Sequence, residues 1–403
     1  MASEEIEMSK SNPNKLPLQQ PSLSWRITSS LSMGLTAALC RGFLYGFNTV
    51  ETVGLDRFLD ILDKRENVEK RQRGLITVSN HISVLDDPIM WGVLPLRYAF
   101  NPSNHRWGLG AHDICFKNKF LSNFFYSGQV LPTHRSKYSP HGGLFQSTIP
   151  QAIRLLSSQP LISPTPKPGL PQDSHDDVPD PFTSGGLTFT TTGTDRYDAP
   201  SRYSQNRHSW VHVFPEACVH QHPRLHVRYF KWGVARLILE SEPAPDVLPI
   251  FIDGTQHVMA EDRAWPRFLP RFPVRFRVAF GELVDAEERF GDLRARWKDL
   301  VRRQQQQQQN QNQNQNQNQD RAPLKLLVAG ELTDELKYGD EAVGLRIEVA
   351  RRVREEVVKV RRGLGYPEEE EGSGLELAET WAEEPSKDRF RSDVDDSLVN
   401  KKD

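Results

Sequence analysis

The chain is 403 residues long, and its formal net charge is −2. A balance so close to zero gives no global field that would recruit nucleic acid, so we exclude that class of partner. Three widely spaced cysteines form neither a disulfide framework nor a metal site, and no other metal-ligand set stands out, so we expect no metal and no cofactor. Hydrophobic residues make up 37%, and several long polar stretches cannot pack, which predicts a single apolar core with polar inserts.

The N-terminal part of the chain divides into a polar and an apolar stretch. Residues 1–21 are polar and rich in proline, and we predict a disordered leader there. The run from Ile27 to Cys40 holds no charge, but it is shorter than the roughly 20 residues that span a bilayer. Apolar side chains recur here at helical spacing: Leu31, Leu35, Leu39 and Phe43. We therefore predict a helix over residues 22–50 that lies in the membrane interface, with an ordinary core-packed helix as the alternative.

A strand, a polar loop and a helix are indicated next. The apolar run at residues 75–78 predicts a buried strand, and Asp87 before Pro88 predicts a helix start with Asp87 as its N-cap. His81 and Asp86 lie between them, and a loop can bring this carboxylate to the imidazole. An aspartate bonded to one ring nitrogen leaves the other nitrogen as a base, which can take a proton from a hydroxyl that attacks an acyl carbon. A polar loop pair without chemistry is the alternative, because motifs this short also occur by chance.

Two further elements precede a long polar stretch. Residues 97–109 are a candidate strand, and residues 128–135 are a short strand that ends in Arg135. Between them, four phenylalanines recur at a spacing that aligns them on one helix face: Phe116, Phe120, Phe124 and Phe125. Such a stripe is most often a core contact, and a wall for acyl chains or a second membrane contact are the alternatives.

Residues 158–207 consist largely of Pro, Ser, Thr, Gly and Asp. They carry too little apolar surface to order themselves, so we predict a disordered insertion. Beyond it, strand patterns return at residues 210–214, 247–252 and 274–280. The first of these runs directly into Pro215 and Glu216.

Strands alternate with helical patterns over residues 51–300, which is typical of an α/β domain. We predict one such domain, with a mixed central sheet flanked by helices and split by the insertion. Ligands of α/β sheets usually bind at the carboxyl ends of the strands. His81, Arg135 and Glu216 each come directly after a predicted strand, so we expect them to share one cleft.

The C-terminal part has three regions of different composition. Residues 303–320 are a low-complexity insert of Gln and Asn. Residues 321–365 are predicted to be an amphipathic helical region, with an apolar face formed by Leu345, Val349, Val353 and Val357. Residues 366–403 are acidic and polar, and we predict a disordered tail.

Four short blocks resemble the signature of the glycerophospholipid acyltransferases: residues 80–86, 128–135, 214–216 and 248–250. The first matches the Asn-His-x4-Asp block, and the third begins Phe-Pro-Glu. Flanking residues resemble the tafazzin family, the mitochondrial phospholipid–lysophospholipid transacylases, and the inserts are typical of a fungal-type member. These flanking matches lie at residues 87–92, 113–116, 124–125 and 228–233. Order and spacing agree once the insertion is removed, and the resemblance covers residues 24–156 and 209–283.

The resemblance implies a CoA-independent transacylase that remodels the acyl chains of cardiolipin. His81 would be the general base on the hydroxyl of a lysophospholipid such as lysocardiolipin, Asp86 would orient His81, and another phospholipid would be the acyl donor. The enzyme would be bound peripherally, or in the interface, to mitochondrial membranes facing the intermembrane space. An acyl-CoA-dependent lysophospholipid acyltransferase is one alternative, and a non-catalytic lipid-binding membrane protein is another.

The resemblance also implies a substrate-binding set. Arg135 would pair with the acceptor's phosphate, and Glu216 would hold the acceptor or position Arg135. The remaining expected members are Asn80, Phe214 and Pro215. One departure from the family is Ala217, which replaces the glycine of the third block. If that position needs a positive φ, alanine is strained there.

Overall fold

The computed structural model describes residues 22–158, 208–315, 332–381, 391–392 and 394–399, and the pairs 188–189 and 197–198. The predicted leader (1–21) and nearly all of the predicted insertion (158–207) lie outside the described residues. The boundaries predicted for the regions of the chain stay predictions.

Eleven strands occur in the described residues. In chain order they are β1 (Thr49–Val53), β2 (Leu75–Ser79), β3 (Arg106–Ala111), β4 (Val130–Thr133), β5 (Thr188–Phe189), β6 (Tyr197–Asp198), β7 (Trp210–Val213), β8 (His220–Gln221), β9 (Asp246–Asp253), β10 (Arg275–Phe280) and β11 (Leu398–Val399).

Twelve α-helices occur in the same part of the chain. They are α1 (Leu23–Phe47), α2 (Leu55–Lys64), α3 (Asp86–Trp91), α4 (Leu96–Ala99), α5 (His112–Cys115), α6 (Lys119–Ser127), α7 (Thr148–Leu156), α8 (Gly233–Glu240), α9 (Thr255–Val258), α10 (Ala286–Gln315), α11 (Asp334–Tyr338) and α12 (Asp340–Gly363).

Seven strands form one mixed sheet in the order β1-β10-β9-β2-β7-β3-β4. Every neighbouring pair is parallel except β9 and β10, which are antiparallel. Helices pack against the sheet, including α12 on β9 and α7 on β7. The predicted α/β fold with a mixed central sheet flanked by helices is confirmed.

Strand β2 shows why the sheet forms where the sequence indicates. All five of its residues are buried, and it lies between two parallel neighbours, β9 and β7. A strand covered on both faces needs a continuous apolar run rather than alternation, and Leu75 begins such a run. Because β2, β7, β3 and β4 are parallel, their carboxyl ends meet at one edge, which we call the carboxyl edge.

Helix α1 carries apolar side chains on two sides, one packed against the domain and one exposed. One side is buried against the domain through Met33, Ala37 and Leu44, and Ser29 donates a hydrogen bond of 2.6 Å to the carbonyl of Ser127. The other side is exposed along Leu23, Ile27, Leu31, Leu35 and Leu39. The helix therefore packs as a core element on one face and presents an unpartnered apolar stripe on the other. Within the described residues, no helix combines the length and apolar character needed to cross a membrane.

Two local predictions are wrong. The candidate strand at 97–109 is a short helix after Pro95 followed by a turn, and β3 begins only at Arg106. Asp87 is not the N-cap of its helix, because α3 begins at Asp86 and Leu85 precedes it. The apolar face predicted for the last long helix is confirmed, since its four predicted side chains are buried in α12.

Candidate active site

His81 and Asp86 meet in the loop between β2 and α3. The Nδ1 atom of His81 lies 2.9 Å from Oδ2 of Asp86. The same oxygen accepts the backbone N–H groups of Ile82 at 2.7 Å and Ser83 at 2.9 Å, and Oδ1 accepts the hydroxyl of Thr255. Asp86 is fully buried, and all these donors point at its carboxylate. A buried carboxylate is stable as an anion when donors and an imidazole satisfy it.

The contact with Asp86 fixes how the His81 ring is used. A carboxylate at Nδ1 favours the tautomer with its proton there, which leaves the lone pair on Nε2. The side chain of His81 is 22% exposed, so the ring is accessible from outside the domain. The ring of Phe214 stacks on it with centroids 4.5 Å apart. The base geometry expected from the sequence is thus present, and its catalytic role stays a prediction.

The segment after β7 holds the backbone of His81. Oε1 of Glu216 accepts the N–H of His81 at 2.7 Å, and Oε2 accepts the N–H of Arg228 at 2.9 Å. Glu216 is almost fully buried, and both of its carboxylate oxygens accept backbone N–H groups, while its predicted role in substrate binding stays a prediction. Pro215 is also buried, and its carbonyl accepts the N–H of Lys231 at 2.9 Å.

Ala217 has a φ of 54°, which lies in the left-handed region that favours glycine. The condition stated for strain at this position is therefore met, in the turn that carries Glu216. The N–H of Ala217 donates to the carbonyl of Phe214 at 3.1 Å, which closes this turn. Its side chain is exposed.

Arg135 lies at the same edge but farther along it. It follows β4, three strands from β2, which corresponds to about 14 Å at the usual strand spacing of about 4.8 Å. Its Nε donates to Oδ1 of Asp113 at 3.0 Å, and one terminal nitrogen donates to the other carboxylate oxygen. This pairing lowers the pKa of Asp113 and leaves Nη1 of Arg135 for another acceptor. The guanidinium also lies over the ring of Tyr138 at 4.4 Å.

The side chain of Asn80 forms two hydrogen bonds with the neighbouring strand. Its amide nitrogen donates to the carbonyl of Ile252 at 2.9 Å, and its amide oxygen accepts the N–H of Ile252 at 2.8 Å. These two bonds tie the start of the His81 loop to β9. Its assignment to substrate binding stays a prediction, and in this structure the side chain is a backbone anchor.

Thr255 and Asp87, to which the sequence assigned no role in the site, complete the surroundings of the pair. Thr255 reaches Asp86 because it follows β9, the other neighbour of β2. The expectation that residues after neighbouring parallel strands meet at the carboxyl edge could therefore have identified it. Asp87 accepts the indole N–H of Trp91 at 3.0 Å and binds Arg106. Burial alone would raise the pKa of Asp87, but Arg106 holds it below its usual value. This ion pair fixes the first turn of α3 against β3.

The buried His212 forms the back of the site. Its Nδ1 lies 2.8 Å from the hydroxyl of Thr77, and its ring meets that of Phe214 edge-on with centroids 4.5 Å apart. Burial lowers the pKa of His212 to about 3, so the ring is neutral. It is a core side chain, which leaves His81 as the accessible imidazole of the two.

Comparisons with known proteins bear on this geometry. A family profile described as Acyltransferase matches residues 61–162, which include His81, Asp86 and Arg135. A protein of Saccharomyces cerevisiae named Tafazzin is 34% identical over 364 residues, which cover 88% of this chain and 81% of that protein. The chain belongs to the tafazzin family. It is accordingly an acyltransferase.

Two further relatives match a smaller part of this chain. A Dictyostelium discoideum protein named Taffazin is 31% identical over 255 residues, which cover 63% of this chain and 68% of that protein. An Arabidopsis thaliana protein named N-acylphosphatidylethanolamine synthase is 32% identical over 197 residues, which cover 48% of this chain and 50% of that protein. The name of the Dictyostelium relative agrees with membership of the tafazzin family, whereas the Arabidopsis relative is named for the synthesis of an N-acylphosphatidylethanolamine.

Proposed function

We propose that this chain is a CoA-independent phospholipid–lysophospholipid transacylase that remodels cardiolipin acyl chains, with His81 as general base. The observation that carries the proposal is the 2.9 Å contact between His81 Nδ1 and a buried, fully satisfied Asp86 carboxylate. That contact leaves Nε2 as the proton acceptor and stabilises the imidazolium that forms after proton transfer. The names of the relatives from yeast and Dictyostelium support the same reaction class.

The reaction runs in two halves. Nε2 of His81 takes the proton from the free hydroxyl of the lysophospholipid while that oxygen attacks the ester carbonyl of the donor phospholipid. The tetrahedral intermediate then collapses, the bond to the donor's glycerol oxygen breaks, and His81 returns the proton to that oxygen. The acceptor leaves as a full phospholipid and the donor as a lysophospholipid, so no other co-reactant is needed.

Arg135 is the proposed phosphate ligand. Asp113 engages Nε and one terminal nitrogen, so the guanidinium plane is fixed while Nη1 faces away from that carboxylate. An oriented guanidinium binds phosphate better than a free one because less rotamer freedom is lost. The separation from His81 suits an acceptor whose charged group and reacting hydroxyl lie well apart, as in a lipid with more than one phosphate.

The carboxyl edge adjoins a second exposed apolar region. Residues 259–274 connect β9 to β10 at this edge, and Trp265 is 85% exposed and Phe268 74% exposed. Phe272 of this loop contacts Phe43 and Phe47 at the end of α1, with ring centroids 6.1 and 5.4 Å apart. The exposed apolar stripe of α1 therefore continues into the loop.

The loop's charges fit a membrane surface. Its arginines Arg263, Arg267 and Arg271 donate hydrogen bonds to backbone carbonyls of the loop itself. The acceptors in these bonds are uncharged, so the bonds do not neutralise the guanidinium groups. Exposed aromatic rings beside basic side chains are typical of segments at a phospholipid interface. Seated there, the site receives acyl chains without extracting them into water, which costs about 0.8 kcal/mol per methylene. We propose peripheral binding to mitochondrial membranes facing the intermembrane space.

Acyl transfer in CoA-free liposomes tests the reaction. Liposomes would contain phosphatidylcholine with a labelled acyl chain and unlabelled lysocardiolipin, and the product is labelled cardiolipin. The protein should form it without CoA, and His81→Ala should reduce the rate by about 10²- to 10⁴-fold, the usual contribution of a general base. An absolute requirement for acyl-CoA would replace the proposal with a CoA-dependent acyltransferase. Label transfer by wild type and Asp86→Ala that is equal, and equal to that of protein-free liposomes, would point to a non-catalytic lipid-binding protein.

Phosphatidylethanolamine offered as the acceptor in the same assay separates a second chemistry. Label that appears on the amine would point to N-acylation, as named for the Arabidopsis relative. The proposal expects label on the hydroxyl of the lysophospholipid.

A further inference from the structure

His220 lies beside the proposed base, and the proposed mechanism assigns it no role. It is 1% exposed, and its N–H donates to the carbonyl of His81 at 2.8 Å. Because Glu216 accepts the N–H of His81, the short segment 216–220 holds both backbone groups of the base residue. Any shift of this segment moves His81 directly.

Both ring nitrogens of His220 face carboxylates. Nδ1 lies 3.3 Å from Oε2 of Glu216, and Nε2 lies 3.0 Å from Oδ2 of Asp395. A neutral imidazole would turn a lone pair towards one of the two anions, whereas the protonated ring places a positive charge beside both of them. Burial alone would lower the pKa of His220, but Asp395 and Glu216 outweigh it and raise the pKa to about 9.

Asp395 comes from the far end of the chain, 175 residues after His220. It is held there by β11, which pairs antiparallel with β8 so that Val399 lies opposite His220 and Leu398 opposite Gln221. The N–H of Ser397 donates to Oδ1 of Asp395 at 3.0 Å. We call residues 394–399 the C-terminal segment.

Other groups around His220 do not replace this pairing. The ring of Trp381 meets that of His220 edge-on at 5.3 Å, and the guanidinium of Arg228 lies over the same indole at 4.5 Å. His222 lies 3.9 Å from Asp395, but burial lowers its pKa. His220 is therefore the cation that lies between the two carboxylates.

We propose that His220 is a positioning residue for His81 and that the C-terminal segment completes the catalytic unit by supplying Asp395. The positive charge of the protonated ring lies beside the buried carboxylate of Glu216, which holds the N–H of His81. Without Asp395, the cation loses its second carboxylate and segment 216–220 loses its anchor. This inference rests on the proposed role of His81 as the base.

The test compares two adjacent aspartates. Asp395→Asn removes the buried carboxylate, while Asp396→Asn changes a side chain that is 77% exposed and serves as the matched control. In the CoA-free liposome assay, Asp395→Asn should lower kcat by about ten- to a hundredfold, the scale of a small misplacement of a catalytic group, with KM within about twofold. The high-pH limb of its kcat profile should move down from near 9 by at least one pH unit. Asp396→Asn should leave both unchanged, and Asp395→Glu should restore part of kcat.

A measurement on the unaltered protein keeps the inference testable even if Asp395→Asn does not fold. NMR of the ring protons of His220, assigned by their loss in His220→Gln, should give a titration midpoint near 9. A midpoint near 6.5, or an Asp395→Asn enzyme with the kcat and pH profile of the control, would overturn the inference. If His81→Ala remains active, the proposed function itself fails, whereas a silent Asp395→Asn beside an inactive His81→Ala removes only the positioning role.

Discussion

Ala217→Gly should stabilise the protein. Ala217 has a φ of 54°, a conformation that costs a non-glycine residue roughly 1–2 kcal/mol. Glycine removes that strain but adds conformational freedom to the unfolded chain, which costs about 0.4–1 kcal/mol. The side chain is exposed, so its loss leaves no cavity. The net expectation is a gain of about 0.5–1 kcal/mol in the free energy of unfolding.

Urea denaturation followed by tryptophan fluorescence measures the change. The matched control is Ala295→Gly, the same substitution at an exposed position inside α10. There glycine should lower the free energy of unfolding by about 1 kcal/mol, because alanine adopts the helical φ without strain and glycine loses more conformational freedom on folding. Opposite signs for the two variants are the expected result. A loss of stability in Ala217→Gly as large as that of the control would refute the reasoning about the turn.

Three further changes probe the site, its support and its membrane contact. Thr255→Val removes a donor to Asp86 and should lower kcat about tenfold, with recovery in Thr255→Ser. Asp87 should stabilise the fold at pH values above its unfolded pKa of about 4. This contribution is lost as the pH falls through the lower folded pKa that Arg106 sets. Asp87→Asn should therefore flatten the acid unfolding curve followed by circular dichroism. Trp265→Glu should reduce flotation on anionic liposomes severalfold without changing the melting temperature.

Controls separate these outcomes from general damage. Leu283→Glu changes an exposed leucine after β10, at the edge opposite His81, and should float like the wild type. If Trp265→Glu and Leu283→Glu bind liposomes equally, the loop is not a membrane contact. An unchanged kcat in Thr255→Val would show that its hydroxyl does not support Asp86, and steep acid unfolding in Asp87→Asn would assign that transition to other carboxylates.

The sequence was informative where one local pattern decides the structure. The apolar run at Leu75 predicts a strand buried on both faces, and parallel strands bring the residues after them to one edge, which is how His81 and Glu216 meet. His81 and Asp86 were expected to meet because a loop between strand and helix can bring the carboxylate to the imidazole. The missing family glycine marks Ala217 as strained only on the condition of a positive φ, and the structure supplies that φ.

The remaining features depend on contacts that no local pattern encodes. Asp395 pairs with His220 across 175 residues and through a two-residue strand, so neither its partner nor its burial is visible in sequence. Arg135 was predicted to pair with a phosphate, but no local pattern shows that Asp113 in α5, the helix after β3, pairs with it. Helix α1 has apolar side chains on both faces, and only the fold shows which of them are covered.

A double-mutant comparison in the CoA-free liposome assay tests most directly whether His81 and Asp86 act as one unit. The rates of His81→Ala, Asp86→Asn and the double variant would be measured together. If Asp86 acts only through the imidazole, the double variant should be no slower than His81→Ala alone, because groups that act as a unit are not additive. Losses that multiply in the double variant, or an Asp86→Asn enzyme as fast as the wild type, would contradict the account.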